Sequence, residues 1–541
     1  MAEVDPESVT ILFIPYSIIL VGGRMKVQFI FTNFDCPVGP SMGVSYISSA
    51  LKAAGHETQC LHINEWVDYP YDPDRILKDT LEYDPDIVAL CFGTNHKPEA
   101  LNICKVLKEG GVRGKIFCGG IHTTLNTEEI ISDPNVDFAN VGEGDDSAVD
   151  LANALEKGLD TTNIPNIWAK KDGQIIRNPA RPFKDISKLP FMDTEIWQYQ
   201  KIMDSRRGWV NVYMNRGCPY RCTYCHNNGV AKLMQENLGS KTSGNAEMGY
   251  LRLRDPHDMI AELKSLMAKY DVKAFSFNDD TFTMNKPQMM EFLPMYAKEI
   301  GLPFVCNTTV LDVDREILEA MADANCDLIR FGVETATEKI RRHVLKRVFS
   351  TERTREVFAM TREVGIRSFA FLILGNPGET FPEMHDTLKL AAELQPDGLK
   401  VSIGYPYPGT EYYDIAEEMG VIDHDRHYHN FIRESKLNWN DEERVQLDKF
   451  RSVFWFWMNA HMENDSSGPY RDLIKKVEAI GVDEWRHPST EQKVLDMEEL
   501  VAAELKKRNV THWTIPFKDR PEITILVKGE DFLAYETLDQ H

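Results

Sequence analysis

Cys218-Pro219-Tyr220-Arg221-Cys222-Thr223-Tyr224-Cys225 sets three cysteines within eight residues, directly after the apolar-rich run Trp209-Val210-Asn211-Val212-Tyr213-Met214. Cysteines this close on one tight loop cannot pair off in disulfides, but their thiolates can converge on one inorganic centre. Thiolate sets of this kind suit an iron–sulfur centre or zinc. No further cysteine lies nearby to close a structural tetrahedron, so the spacing predicts a metal centre that keeps one position open for chemistry.

Reading downstream, Asp255 to Lys269 has the amphipathic period of a helix and Lys273 to Phe277 the character of a strand. The cycle recurs: helix Lys286 to Ile300, strand Pro303 to Thr308, helix Arg315 to Asn325, strand Leu328 to Val333, helix Thr351 to Val364, strand Ser368 to Leu374, helix Pro382 to Leu394, strand Gly398 to Ile403. With the run before the cysteines this makes six strands alternating with helices, which predicts a partial (β/α)6 barrel with its chemistry at the carboxyl ends of the strands. Polar residues collect at those ends: Asp279 and Asp280, Asn307, Glu334, Gly375-Asn376-Pro377-Gly378-Glu379, and Tyr405-Pro406-Tyr407. Any one of them alone reads as a turn or helix cap. Their joint arrangement around the cysteine loop reads as a site.

Upstream, Lys26 to Thr32, Thr58 to Ile63, Asp86 to Phe92 and Lys115 to Cys118 are strand-like, with helical patterns at Val44 to Ala54 and Pro98 to Glu109. Four or five such strands before residue 150 predict a doubly wound, flavodoxin-like (Rossmann-type) α/β domain, whose ligand lies at the carboxyl ends of its strands. The strand-end loops there are Pro40-Ser41-Met42-Gly43, Gly93-Thr94-Asn95, Gly119-Gly120 with His122, and Gly142-Glu143-Gly144. The predicted division is an extension over 1–24, the first domain over 25–155, a turn-rich linker with at most a small hairpin over 156–205, the barrel over 206–420 and a mainly helical C-terminal region over 421–541. The aromatic stripe from Phe450 to His461 reads as core packing or a barrel lid.

At 541 residues the chain is long enough for three or four domains. Its net charge of −23 disfavours a nucleic-acid surface, which needs clustered Lys and Arg, and favours a small-molecule or peptide substrate. Seven of the ten cysteines lie outside the triplet, singly and in apolar surroundings, which predicts reduced thiols and a cytoplasmic location. The apolar run over 9–22 is too short to span a bilayer and follows Glu3, Asp5 and Glu7, so neither a signal peptide nor an anchor is expected.

Two resemblances unite these features. The loops Pro40 to Tyr46, Gly119 to Thr124 and Val141 to Asp145, with Leu51 to Glu57, resemble the cobalamin-binding domain found in front of many radical S-adenosylmethionine (SAM) enzymes. The resemblance implies that the strand-end loops, from Pro40 to Gly144, cradle the corrin ring. Relatives that ligate cobalt from below use Asp-x-His-x-x-Gly in the first loop, and residues 33–43 contain no histidine. Either cobalamin binds here without a histidine on its lower face, or the domain serves as scaffold.

Cys-x-x-x-Cys-x-x-Cys with Tyr224 before its last cysteine resembles the signature of the radical SAM superfamily, and Asn278 to Phe282, Phe331 to Thr335 and Leu372 to Glu379 continue the match. That resemblance implies a [4Fe-4S] cluster held by Cys218, Cys222 and Cys225, with the remaining iron left for SAM. It also implies that Asp279 and Asp280 lie at the SAM amino group, Glu334 at the ribose and methionine groups, Gly375, Asn376 and Pro377 at adenine, with Asn307 at the same rim and the Tyr224 backbone touching adenine. An electron donor such as flavodoxin or ferredoxin is the implied partner. The implied function is cobalamin-dependent methylation of an unactivated centre. The alternatives are a non-methylating cyclase or rearrangement enzyme of the magnesium-protoporphyrin ester cyclase kind and, from another class, a cobalamin carrier or sensor.

Overall fold

The computed structural model describes residues 24–34, 36, 38–239, 249–426, 434–514 and 525–528. The apolar run over 9–22 and all but the last residue of the expected extension lie outside them.

The first sheet is built from β1 (Lys26–Thr32), β2 (Glu57–Ile63), β3 (Ile87–Cys91), β4 (Lys115–Gly119), β5 (Phe138–Asn140), β6 (Ile167–Lys171) and β7 (Gln174–Ile176), in the order β2-β1-β3-β4-β5-β6-β7. β1 to β5 run parallel, with Val27 opposite Ile87 and Phe31 opposite Cys91. A sheet buried under helices on both faces needs near-continuous apolar strands, and Val27, Phe29, Ile30, Val88, Leu90 and Ile116 are all buried. The chain leaves β1 toward β2 on one side and returns to β3 on the other, so a crevice opens at their carboxyl ends. The hairpin expected within the linker is present as β6–β7, and it is an extension of this sheet: β6 pairs antiparallel with β5, Phe138 opposite Ala169. Turn residues at Asp172 and Gly173 mark such a hairpin locally; its attachment to β5 is a long-range pairing that local pattern does not carry.

The second sheet begins at β8 (Trp209–Val212), which leads into a two-stranded excursion, β9 (Asn215–Arg216) and β10 (Arg252–Leu253), flanking the cysteine loop and the helix His226–Asn237. It continues through β11 (Ala274–Phe277), β12 (Phe304–Thr308), β13 (Cys326–Glu334), β14 (Arg367–Leu374) and β15 (Gly398–Ile403). These six strands lie side by side in sequence order and all parallel, the partial barrel expected. Helices over Pro256–Lys269, Lys286–Glu299, Arg315–Asp323, Thr351–Glu363 and Phe381–Leu394 cover it. Asp255, Asn285, Asp314 and Ser350 start the first four by accepting free backbone amides of the first turn. Two further strands extend the sheet: β17 (Ile525–Lys528) pairs antiparallel with β15, and β16 (Trp513–Thr514) pairs antiparallel with β17. The C-terminal region is helical, and the aromatic stripe is core: Phe454, Trp455, Phe456 and Trp457 are all buried. Among the described residues no helix is long and apolar enough to cross a membrane.

Candidate radical and corrin site

The cysteine loop is held by backbone and small polar groups from three directions. Gly217 enters it at φ +85°, and a Cβ there would collide with the Tyr250 carbonyl oxygen, so only glycine fits. The Cys225 amide donates to the Cys222 carbonyl at 3.1 Å, and Thr223 donates its amide to Leu345 O at 3.2 Å and its hydroxyl to Val344 O at 2.5 Å. The Tyr412 amide in turn donates to the Thr223 carbonyl at 3.1 Å. All three thiols are half-buried and free of disulfides. Burial first, and the nearby Asp280 carboxylate second, push the Cys218 and Cys225 thiols up, so the site favours thiolate only when positive iron offsets both effects. Among the described residues no three His, Cys, Asp or Glu side chains converge on one ion position. Three thiolates on one loop, with no fourth cysteine nearby, suit a cube that takes each thiolate on a separate iron.

Around the thiols stands a set of polar groups that includes residues the sequence did not single out. Glu334 ends β13 just after a register shift and adopts φ +65°, a strained conformation for a residue with a side chain. Its Oε1 accepts from the Tyr224 hydroxyl at 2.9 Å and from Arg347 at 3.3 Å, while Arg347 also donates to the Tyr224 oxygen at 2.8 Å and to Gly332 O at 2.8 Å. The same guanidinium lies 3.8 Å from the Cys222 sulfur. Arg347 carries no local motif; it joins the site because the segment after β13 folds back onto the cysteine loop. Asp280 sits in a recess beside the thiols, solvent-accessible yet so closely surrounded that desolvation raises its carboxyl while an Asn227 hydrogen bond lowers it. Asn227 also reaches the Cys225 sulfur at 3.7 Å and accepts from the Tyr250 hydroxyl.

Three of the expected SAM contacts are otherwise engaged. Asp279 is buried, and its two carboxylate oxygens accept the amides of Met214 at 3.1 Å and Asn215 at 2.6 Å, tying β11 to the entry of the cysteine loop. Desolvation raises it to about 7 in spite of those bonds. Asn307 donates to the Asp279 carbonyl at 3.2 Å. The Asn376 side chain donates to Glu379 at 2.9 Å and to Ile373 O at 3.1 Å and accepts from Tyr412 at 2.9 Å, so it braces the Gly375 loop from within. Gly375 and Pro377 are buried beside it and offer backbone rather than side chain.

At the crevice of the first sheet lies a cavity of about 500 Å³. Pro40, Ser41, Met42 and Gly43 line it with Gly119, Gly120, Gly142, Glu143 and Gly144, as the loop pattern predicts. Its interior is apolar, from Val27, Phe29, Ala89 and Phe117. Gly119 meets the fit required of a corrin cradle: it lines the cavity, and a Cβ there would meet only Asn140 Cβ, at 4.0 Å. Gly120 must be glycine for another reason, since at φ +96° its Cβ would stand 2.8 Å from Phe92 O. Among the described residues the cavity wall contains no histidine, and it is completed from the barrel side by Tyr213 and Arg216.

Gly93, Thr94, Asn95 and His122 fall outside this lining. His122 is buried, with Nδ1 3.1 Å from the Thr94 hydroxyl and Nε2 3.4 Å from Glu129, so it fastens the β3 and β4 loops to each other. Hydrogen bonding to His122, ahead of Lys97, holds the Glu129 carboxyl down at about 2. Glu143 does line the cavity, but its carboxylate turns to Arg252, at 2.6 and 2.7 Å, an engagement the corrin reading did not foresee.

A glycine-lined cavity of about 500 Å³ that abuts a half-barrel with three thiols on its first loop is the layout of a two-cofactor radical enzyme. The Radical SAM superfamily model matches residues 212–391 and the B12 binding domain model residues 37–152. An uncharacterized methyltransferase of Pyrococcus horikoshii is 25% identical over 70% of this chain and 78% of its own. The anaerobic magnesium-protoporphyrin IX monomethyl ester cyclase of Rubrivivax gelatinosus is 23% identical over 75% and 73%. The radical SAM methyltransferase TsrM of Kitasatospora setae, solved with cobalamin and a [4Fe-4S] cluster bound, superposes with a TM-score of 0.60 at 17% identity, over 73% of this chain and 75% of its own. The chain belongs to the radical SAM enzymes that carry a cobalamin-binding domain. Its cofactors are a [4Fe-4S] cluster, SAM and cobalamin.

Proposed function

We propose that this enzyme transfers a methyl group to an unactivated centre of a small molecule or peptide. The observation that carries the reading is the shared wall: Tyr213 and Arg216, on the stretch that delivers the cysteine loop, also close the corrin cavity. Two cofactors so joined can act on one substrate held between them. When bound, the cluster supplies the electron that splits the carbon–sulfur bond of SAM, and cobalamin supplies a carrier for the methyl group.

In this reading Cys218, Cys222 and Cys225 ligate the cluster. Tyr224 and Arg347 orient Glu334 for the polar groups of SAM, Asp280 receives its amino group, and the Gly375 loop packs against adenine. The glycine loops 119–120 and 142–144 cradle the corrin. The domain division is 25–155, 156–205, 206–420 and 421–541, with the β6–β7 hairpin belonging to the first sheet. Electrons come from a carrier such as flavodoxin or ferredoxin, and exposed Arg221, Arg342 and Lys346 near the cysteine loop favour an acidic partner on a chain of net charge −23. Ten free cysteines suit a reducing cytoplasm.

A cyclase without methyl delivery is the second reading, favoured by the 23% identical magnesium-protoporphyrin ester cyclase. A carrier or sensor would leave the cysteine loop and its Arg347–Glu334–Tyr224 support without a use. Product analysis of the reconstituted enzyme with its substrate decides: S-adenosylhomocysteine together with 5'-deoxyadenosine is expected. Formation of 5'-deoxyadenosine alone overturns methyl transfer in favour of the cyclase reading.

A further inference from the structure

We infer that Glu143, Asp145, Arg216 and Arg252 form an ionic clamp through which filling the corrin cavity orders the cysteine loop. The inference rests on the cavity's being the cobalamin site.

The excursion that carries the three cysteines is closed at its base by β9 and β10, where Arg216 and Arg252 stand directly opposite each other. Like charges at opposed positions of an antiparallel pair repel, and a two-residue ladder has little else to offset them. The first domain supplies what this base lacks. Asp145 takes Arg216 through both oxygens, at 2.9 and 3.2 Å, and Glu143 takes Arg252 through both, at 2.6 and 2.7 Å, with Arg216 a further 3.5 Å away. Such paired forks fix direction as well as distance. Both guanidinium groups also pack near rings, that of Arg252 4.8 Å from Phe183 and that of Arg216 5.5 Å from Tyr46.

The acidic half of the clamp sits on the loop that lines the corrin cavity. Gly142, Glu143, Gly144 and Asp145 all belong to its wall, and Arg216 touches the cavity two residues before Cys218. The far side of the cysteine loop meets the same segment, because a Cβ on Gly142 would lie 3.3 Å from the Met234 sulfur in the helix that follows Cys225. A ligand that holds residues 142–145 still therefore holds both ends of the cysteine loop. Linkage makes the effect reciprocal, so an assembled cluster tightens corrin binding by the same factor.

The test uses the full chain without a cluster, under anaerobic reducing conditions, with and without hydroxocobalamin. In the wild type, corrin should slow amide hydrogen exchange over residues 215–226 on the order of tenfold, the size of a typical coupling between two sites. Arg252→Gln should still take up about one corrin per chain by absorbance, with that slowing lost. The charge-swapped pair Glu143→Arg with Arg252→Glu should restore part of it, and Arg252→Lys, which keeps the charge but not the fork, should fall between. Equal slowing in the wild type and Arg252→Gln overturns the clamp alone. If Arg252→Gln does not fold, undiminished slowing in Arg252→Lys does the same. A wild-type chain that takes up no corrin overturns the cofactor reading, and the clamp with it.

Discussion

The two halves of the site are built by opposite means. The corrin cavity is made by leaving side chains out: Gly119, Gly43 and Gly144 line it, and the interior is apolar. The cysteine loop is made by adding polar support, from Thr223 on the 344–345 backbone to the Arg347–Glu334–Tyr224 triangle and the Asp279 carboxylate on two amides. A large flat ligand needs room, and a removed side chain provides it at once. A cluster must be held on a few thiolates, so the surrounding backbone and charge must fix the loop before it is filled.

The hardest test of this contrast is on the ligand side. Cys222→Ala should abolish the [4Fe-4S] absorption band and 5'-deoxyadenosine formation while leaving corrin uptake in place; full iron retention in this variant and in its Cys218 and Cys225 counterparts would end the cluster assignment. On the room side, Gly119→Leu adds a side chain at a cavity-lining position where a Cβ meets nothing nearer than Asn140 Cβ at 4.0 Å. Corrin bound per chain should fall from about one toward none, with iron content unchanged. Undiminished corrin uptake would mean that the cavity is not its seat.

A smaller effect is expected at Arg347. Removing a buried cation 3.8 Å from the Cys222 sulfur destabilises the reduced, more negative cluster, so Arg347→Gln should lower the midpoint potential followed by EPR. With Glu334 no longer oriented, SAM cleavage should fall about tenfold, which corresponds to about 1.4 kcal/mol. An unchanged potential with the same loss of rate would make Arg347 a support for Glu334 only.

The same contrast explains what could be read before any coordinates. Alternation of apolar runs with helices exposed the parallel strands of both sheets except the three-residue β5, because a longer strand announces itself within a few residues. Glycine loops such as 119–120 and 142–144 were legible too, since room at a strand end is a local property. The polar scaffolding was not. Arg347, Arg216 and Arg252 matter through partners far along the chain, and nothing in their neighbours marks them. Glu143 and His122 stand on the strand-end loops, but their side chains turn to Arg252 and to Thr94 and Glu129. Asp279 likewise turns to two backbone amides, and Asn376 to Glu379, Tyr412 and Ile373 O, which type and position alone do not decide.

One brace behind the cysteine loop has a pH signature of its own. Glu379 is buried, accepts from the Asn376 amide and side chain at 2.9 Å and from Thr335 at 3.2 Å, and desolvation raises its carboxyl to about 7 in spite of those bonds. The folded chain therefore binds this proton more tightly than the unfolded chain, in which the group titrates near 4.5. The stabilisation is present in full below about 4.5 and is lost as pH rises through about 7. Glu379→Gln stays neutral throughout, can keep its oxygen toward Asn376 and can turn its amide to the Thr335 hydroxyl. It should thus make the barrel less sensitive to alkali, reducing the loss of unfolding free energy between pH 5 and pH 8 by on the order of 2 kcal/mol. Urea midpoints at the two pH values measure it, and a pH dependence identical to the wild type would show that this carboxyl is ionised in the folded chain already at pH 5.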